Sequence, residues 1–354
     1  MHSRPSQHYQ QPNHGVLLAG AILLIAFVAP GVRAQDKPPF TLKHFELVET
    51  VTFDLPDTLL IAEIYQIDRD SDGRWLVTDM VGEQILLFES DGTLQASLDP
   101  RICHPGFIFR PSGARFAGNE FIFIQNSGNI WGYRFTTEGA CLGSVDPGFT
   151  STSFFDIDPT GELYGVYDWP DWELKHMSST GKTLRKLPVP PFKFPNASKR
   201  FAGGGLIADG THLFYAQSPE LELLKIALDG TLLERISLKR ISKRRSWFRS
   251  PRKDLPPDIP GVFAAMKDWW ATAPWSLFEL TDQTLMVQYV NRQRGTGYQV
   301  LTKDGMLVAE ELGLKSLFLH GENGLVYRPV QPDLDSQGEL PSPYVEIYRF
   351  VAPE

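Results

Sequence analysis

The chain has 354 residues, 42% hydrophobic and 12% aromatic, with 30 glycines, 27 prolines and a formal charge of −8. That is ample for a large core, and high strand propensity with little helical periodicity argues against an α/β enzyme.

The first segment reads as an export signal. Val16 to Pro30 is an apolar run of fifteen behind a weakly basic leader containing Arg4, and Val32-Arg33-Ala34 offers the small residues a signal peptidase needs. Residues 1–34 are therefore expected to be removed, leaving a periplasmic or extracellular protein. The run falls short of the roughly 20 residues that span a bilayer. Residue 21 is Ala where a lipoprotein signal would carry Cys, so no membrane attachment beyond the leader is expected. Removing Arg4 and Arg33 from 34 basic residues leaves 32 against 42 acidic ones, a formal −10.

Residues 35–353 read as one all-β domain. The clearest stretch is Ile64 to Leu98. A strand-like run from Ala62 to Ile67, the turn cluster Asp68 to Gly73, and the run Trp75 to Thr78 make a first hairpin. Gln84 to Phe88 and Thr93 to Leu98, joined through Asp91-Gly92, make the last one. One four-stranded sheet cannot bury both faces, so the pattern should repeat. It does: the last-hairpin glycine returns as Gly139, Gly181, Gly230 and Gly305, and units begin near 62, 111, 153, 203, 275 and 316. The sixth lacks a clear fourth strand, while Phe45 to Val51 is spare at the other end. The sequence thus predicts a six-bladed β-propeller of four-stranded antiparallel blades, its ring closed by an N-terminal strand.

Cys103 lies between blades one and two, and Cys141 near the start of the outer strand of blade two. Those places fall on opposite faces of an idealised disc, so two buried thiols are expected rather than a bridge. Asn196-Ala197-Ser198 is a glycosylation sequon, relevant only in a eukaryotic secretory route.

In a propeller, the connections after the second strands and between blades share one face, where binding residues gather. Here those connections are long: 101–110, 188–200 and, longest, the insert 238–274. The insert opens with eight cations between Lys239 and Lys253, interleaved with Trp247 and Phe248; without them the mature chain is near −18. An intramolecular dock or a solvated loop accounts for that stripe better than nucleic acid, and anionic lipid is a further, weaker reading. The second half, Val262 to Trp275, is expected to form a short amphipathic helix across the mouth. Trp169 and Trp172, set among Asp and Pro, suit a sugar ring or a cationic group. Arg110, Arg200, Arg292 and Arg294 could converge on an anion. The candidate ligand contacts are Trp169, Trp172, Arg110, Arg200, Trp275 and Arg292.

No catalytic constellation stands out. The histidines His44, His104, His176, His212 and His320 fall in different parts of the blades, and no His or Cys metal-ligand spacing occurs.

Blade one, with Asp79 closing its second strand and Asp91-Gly92 before its fourth, resembles the NHL-type repeat. His104-Pro105-Gly106-Phe107 followed by Arg110-Pro111 is similar to the linker of the bacterial exported six-bladed propeller family. That resemblance implies an exported binding scaffold. A more distant likeness is to gluconolactonase-like propellers, which hold a divalent metal on the axis. Glu63 occupies the place of their first ligand, but Gly204-Gly205-Leu206 lacks their Asn and Trp275-Ser276 their Asp, so only Glu63 remains as a metal candidate. The expected function is a non-catalytic, monomeric scaffold without a cofactor, binding a protein or small molecule, anionic or carbohydrate, through its lengthened face. The alternative is a calcium-dependent lactonase or esterase.

Overall fold

The structure is a computed structural model. It describes residues 42–353 except 107, 119, 127–131, 146–153, 168–172, 189, 192–203, 218–220, 239–271, 292–294, 315–317 and 334–339.

A single strand, β1 (Phe45–Thr52), precedes the blades. Blade one is β2 (Ile64–Arg69), β3 (Trp75–Asp79), β4 (Gln84–Phe88) and β5 (Leu94–Ser97). Blade two is β6 (Pro111–Ala117), β7 (Phe121–Asn126), β8 (Gly132–Thr136) and β9 (Cys141–Val145). Blade three is β10 (Phe154–Ile157), β11 (Leu163–Tyr167), β12 (Glu173–Met177) and β13 (Thr183–Leu187). Blade four is β14 (Leu206–Ala208), β15 (His212–Gln217), β16 (Glu222–Ala227) and β17 (Leu232–Ser237). Blade five is β18 (Thr272–Thr281), β19 (Thr284–Asn291), β20 (Gly295–Thr302) and β21 (Leu307–Leu314). Blade six has β22 (His320–Glu322), β23 (Leu325–Val330) and β24 (Tyr344–Phe350), and β1 supplies its fourth strand in the order β22-β23-β24-β1. All pairings within blades are antiparallel, and the six sheets form a six-bladed β-propeller closed by the N-terminal strand, as the repeat predicts.

The core lies in the seams. The second strands of blades one and two are wholly buried because both their faces look at neighbouring blades: β3 at all five positions and β7 at all six. Apolar clusters therefore straddle blades. Trp75 and Phe88 of blade one pack with Phe53 and with Tyr327 of blade six; Leu87 packs with Phe116 and Ile122 of blade two.

The recurring hairpin glycine has a specific task at these seams. In each case it sits at positive φ against the end of the preceding outer strand. A Cβ on Gly92 would lie 2.1 Å from the Thr52 carbonyl oxygen, one on Gly181 2.4 Å from Val145, and one on Gly230 2.3 Å from Pro188. Only glycine permits both the backbone angle and the approach. The sequence repeat is thus an interlock between neighbours.

The same contact corrects the expectation for the cysteines. Cys103 and Cys141 are joined by a disulfide, with Cα atoms 6.0 Å apart. Strand twist carries the end of β5 round to the last hairpin of blade two, where a Cβ on Gly139 would touch Ala96 and Leu98. Cys103, just beyond β5, therefore meets Cys141, just beyond that hairpin, and both pack on the same apolar cluster.

Candidate functional site

Antiparallel alternation puts the turns after first and third strands on one face and all other connections on the opposite one. The first-hairpin turns run from two to five residues, whereas β5 to β6 takes 13, β13 to β14 takes 18 and β17 to β18 takes 34. The long set defines the candidate face.

Two buried side chains shape the described part of this face. Asp79, at the end of β3, is fully buried and accepts from the N–H groups of Ala62 (2.7 Å), Glu63 (3.2 Å) and Gly82 (2.7 Å) and from Gln84 Nε2 (3.0 Å). Four donors on one carboxylate hold the entry to β2 and the β3–β4 turn together. Gly82 is required there, since a Cβ would sit 2.3 Å from Asp79 Oδ2. At the end of β7, buried Asn126 accepts from the Arg110 N–H (2.6 Å) and donates to the Ile108 carbonyl (3.1 Å), fixing the approach to β6.

Of the candidate contacts, Arg110 lies on this face, exposed, with Nε 3.7 Å from Glu83. Trp169, Trp172, Arg200 and Arg292 lie outside the described residues, as does the expected leader 1–34. Trp275 lies on β18, at the register shift between Pro274 and Ser276. Because β18 begins at Thr272, the insert is shorter than 238–274, and Thr272 to Trp275 continue the blade as strand where a helix was expected. Glu63 is exposed, and its backbone N–H is committed to Asp79. Among the described residues no group of three or more His, Cys, Asp or Glu side chains is arranged to hold a metal ion.

A second cluster was not anticipated. The inner strands of blades one, two, three and six place Asp68, Arg115, Asp156 and His320 around the axis. Asp68 Oδ1 is 3.4 Å from Arg115 Nη1 and 3.4 Å from His320 Nε2. Arg115 Nη1 is 3.2 Å from His320 Nδ1. Arginine can only donate, so Nδ1 accepts and the proton sits on Nε2, facing Asp68. Burial, then the Arg115 charge, holds His320 well below its usual range, so the ring is neutral. Burial raises the Asp68 carboxyl to about 6 despite Arg115 beside it, and burial also raises Asp156 above the usual carboxylate range. Glu322 is pushed to about 7 by burial and by the negative charge of Asp68.

These groups are also ties between blades. Asp68 Oδ2 accepts the Phe116 N–H of blade two at 2.7 Å, and Asp156 Oδ2 accepts the Ala208 N–H of blade four at 2.9 Å. The signal was present in the sequence as charged residues inside otherwise apolar first strands. Dispersing the histidines among the blades hid it, since His320 opens the inner strand of blade six.

No protein-family model matches the chain, and no curated protein matches it. Solved structures do match in fold. A protein of Bacteroides fragilis described as exported shares 12% identity, with 86% of this chain and 95% of that one aligned at a TM-score of 0.59. A member of the DUF4221 family from Bacteroides vulgatus shares 12%, covering 88% and 99% at 0.60. A virginiamycin B lyase from Staphylococcus aureus shares 11%, covering 86% and 89% at 0.53. At such identities the likeness is one of architecture: this chain is a six-bladed β-propeller, similar in fold to an exported Bacteroides protein, to a DUF4221 protein and to a lyase.

Proposed function

We propose that the protein is an exported, non-catalytic propeller that holds a ligand or partner protein against the face bearing its long connections. The observation carrying this reading is the asymmetry of the two faces: turns of two to five residues after the first strands on one, connections of up to 34 residues on the other. Closing a ring requires only short links, so the added length serves something else. Trp169, Trp172, Arg110, Arg200, Trp275 and Arg292 are the proposed contacts, and the 1–34 leader supports export. Both the NHL-like repeat of blade one and the exported neighbour of like fold agree with such a scaffold.

The ionisable groups at the axis support the non-catalytic part of the reading, because they bind neighbouring blades. The alternative, a calcium-dependent lactonase or esterase, has Glu63 as its carboxylate; Asp79, beside it, already takes four donors. A cationic Arg115 between Asp68 and Asp156 further disfavours a metal at that level of the axis.

The test is thermal unfolding of residues 35–354 in EDTA and in calcium, beside turnover of a lactone and ester panel. No calcium-dependent rise in midpoint and no turnover is the expected result. A rise of several degrees together with turnover that Glu63→Gln abolishes would replace the scaffold by the hydrolase.

A further inference from the structure

The face described above carries, on blade one, a group of apolar side chains held out in solvent by rigid supports. Leu60 is 56% exposed, Tyr65 39%, Val81 59% and Ile108 60%. The segments that carry them are joined by polar knots. The Gln84 side chain donates to the Leu60 carbonyl at 2.6 Å. Asp79 gathers the backbone beside Leu60 and Tyr65 to the turn that presents Val81. Asn126 fixes Ile108, and Arg110 reaches Glu83 in that same turn. A fully buried carboxylate and a buried amide are thus spent on fixing segments whose side chains stay in water. Solvated turns need no such support, whereas a preorganised patch loses little entropy when it binds.

The rim defines what fits. Among the described residues its two arginines already have carboxylates: Arg101 Nε is 2.8 Å from Asp99 and Arg110 Nε 3.7 Å from Glu83. Glu63, exposed beside Tyr65, has no ion pair among the described residues, so the charge left over at the rim is negative. The mature chain carries a formal −10, which repels a second copy and favours a cation.

Resting on the proposed scaffold function and naming its partner class, we infer that the Leu60, Tyr65, Val81 and Ile108 patch docks a protein segment with an apolar anchor flanked by lysine or arginine. The anchor would cover Val81 and Leu60, and its cation would meet Glu63.

The probe is a phage-displayed library of random 12-residue peptides, panned on residues 35–354 with Val81→Asp as the counter-selecting protein. Enriched sequences should share an apolar residue flanked by basic ones. A selected peptide should lose at least about tenfold in affinity on Val81→Asp or Leu60→Ser and about threefold on Glu63→Gln. These side chains are exposed, so the variants should melt as the parent does; amide exchange should slow around residues 60–65 and 80–84 when the peptide binds. No enrichment over the Val81→Asp protein, an acidic consensus, or binding that survives both apolar substitutions would overturn the inference. Binding that survives them but falls when 239–271 is replaced by a short turn would sink this patch while leaving the scaffold function standing.

Discussion

The rim and the axis join the same six blades by opposite means. At the rim, a glycine without a side chain nests against the end of the neighbouring strand, apolar clusters fill the seam, and one seam carries a disulfide. At the axis, carboxylates, an arginine and a histidine span blades one, two, three, four and six through hydrogen bonds and charge. Burying apolar surface is favourable without partners, whereas a buried charge repays its desolvation only with good geometry and complete pairing. The rim is therefore expected to carry stability and the axis to fix how blades stand relative to one another.

The largest expected effect breaks the rim. Gly230→Val combines a φ of +91° with a Cβ 2.3 Å from Pro188, whereas Gly161→Val shares the positive φ but meets nothing within 4 Å. Urea unfolding should show a loss of about 4 kcal/mol or more for the first and about 1–2 kcal/mol for the second. Equal losses would remove the interlock as the reason for the repeat. Next comes the disulfide, which closes a separation of 38 residues. Replacing both cysteines by serine should lower stability by about 3 kcal/mol, read as a shift in urea midpoint.

The axis should respond less, and unevenly. Asp68→Ala leaves Arg115 without its carboxylate, but Arg115 keeps 19% of its side chain accessible and retains His320 and Asp156 nearby. A loss of about 2 kcal/mol is expected, below the full cost of an orphaned buried charge. Replacing Asp68 and Arg115 together by Asn and Met should cost no more than the single change. A double variant markedly worse than Asp68→Ala would make the ion pair itself a source of stability.

The smallest effect is in pH. Folded-state values for Asp68 and Glu322 are raised, to about 6 and about 7. Their contribution is complete below the unfolded carboxylate range and fades as pH rises through 6 and 7. His320 is depressed, so its contribution is lost as pH falls through the ordinary histidine range. Stability should therefore rise by on the order of 1 kcal/mol from pH 8 to 6.5 and keep rising more gradually toward pH 5, because two carboxyls take up protons against one histidine. In His320→Gln the rise between pH 6.5 and 5 should be steeper, as melting midpoints across that range would reveal.

Much of the rim could be read from the residues and little of the axis. The hairpin glycines and Asp-Gly turns gave the period, and blade starts expected near 62, 111, 153, 203, 275 and 316 fall within a few residues of the first residues of β2, β6, β10, β14, β18 and β22. The spare Phe45 to Val51 strand closes the ring because the sixth unit lacks a partner for β24. The disulfide was illegible because a period orders strands within a blade and is silent on the twist that brings Cys103 to Cys141. Asp68, Arg115 and His320 were missed for a similar reason: spaced 47 and 205 residues apart, they meet only when the ring closes. Among the candidate contacts, Arg110 could be placed because it immediately precedes a strand, and its support by Asn126 was not foreseeable from spacing.

Pairing of β1 with β24 sets Phe45 opposite Phe350. Chain synthesis runs from the N-terminus, so β1 emerges first and is sealed last, after every other strand of the domain has been delivered. Throughout that interval β24's future place stands empty and the ring is a crescent with two open ends. A single cut between β1 and β2 would leave each blade's hairpins intact and the β1 clasp held to β24 by strand pairing and burial alone.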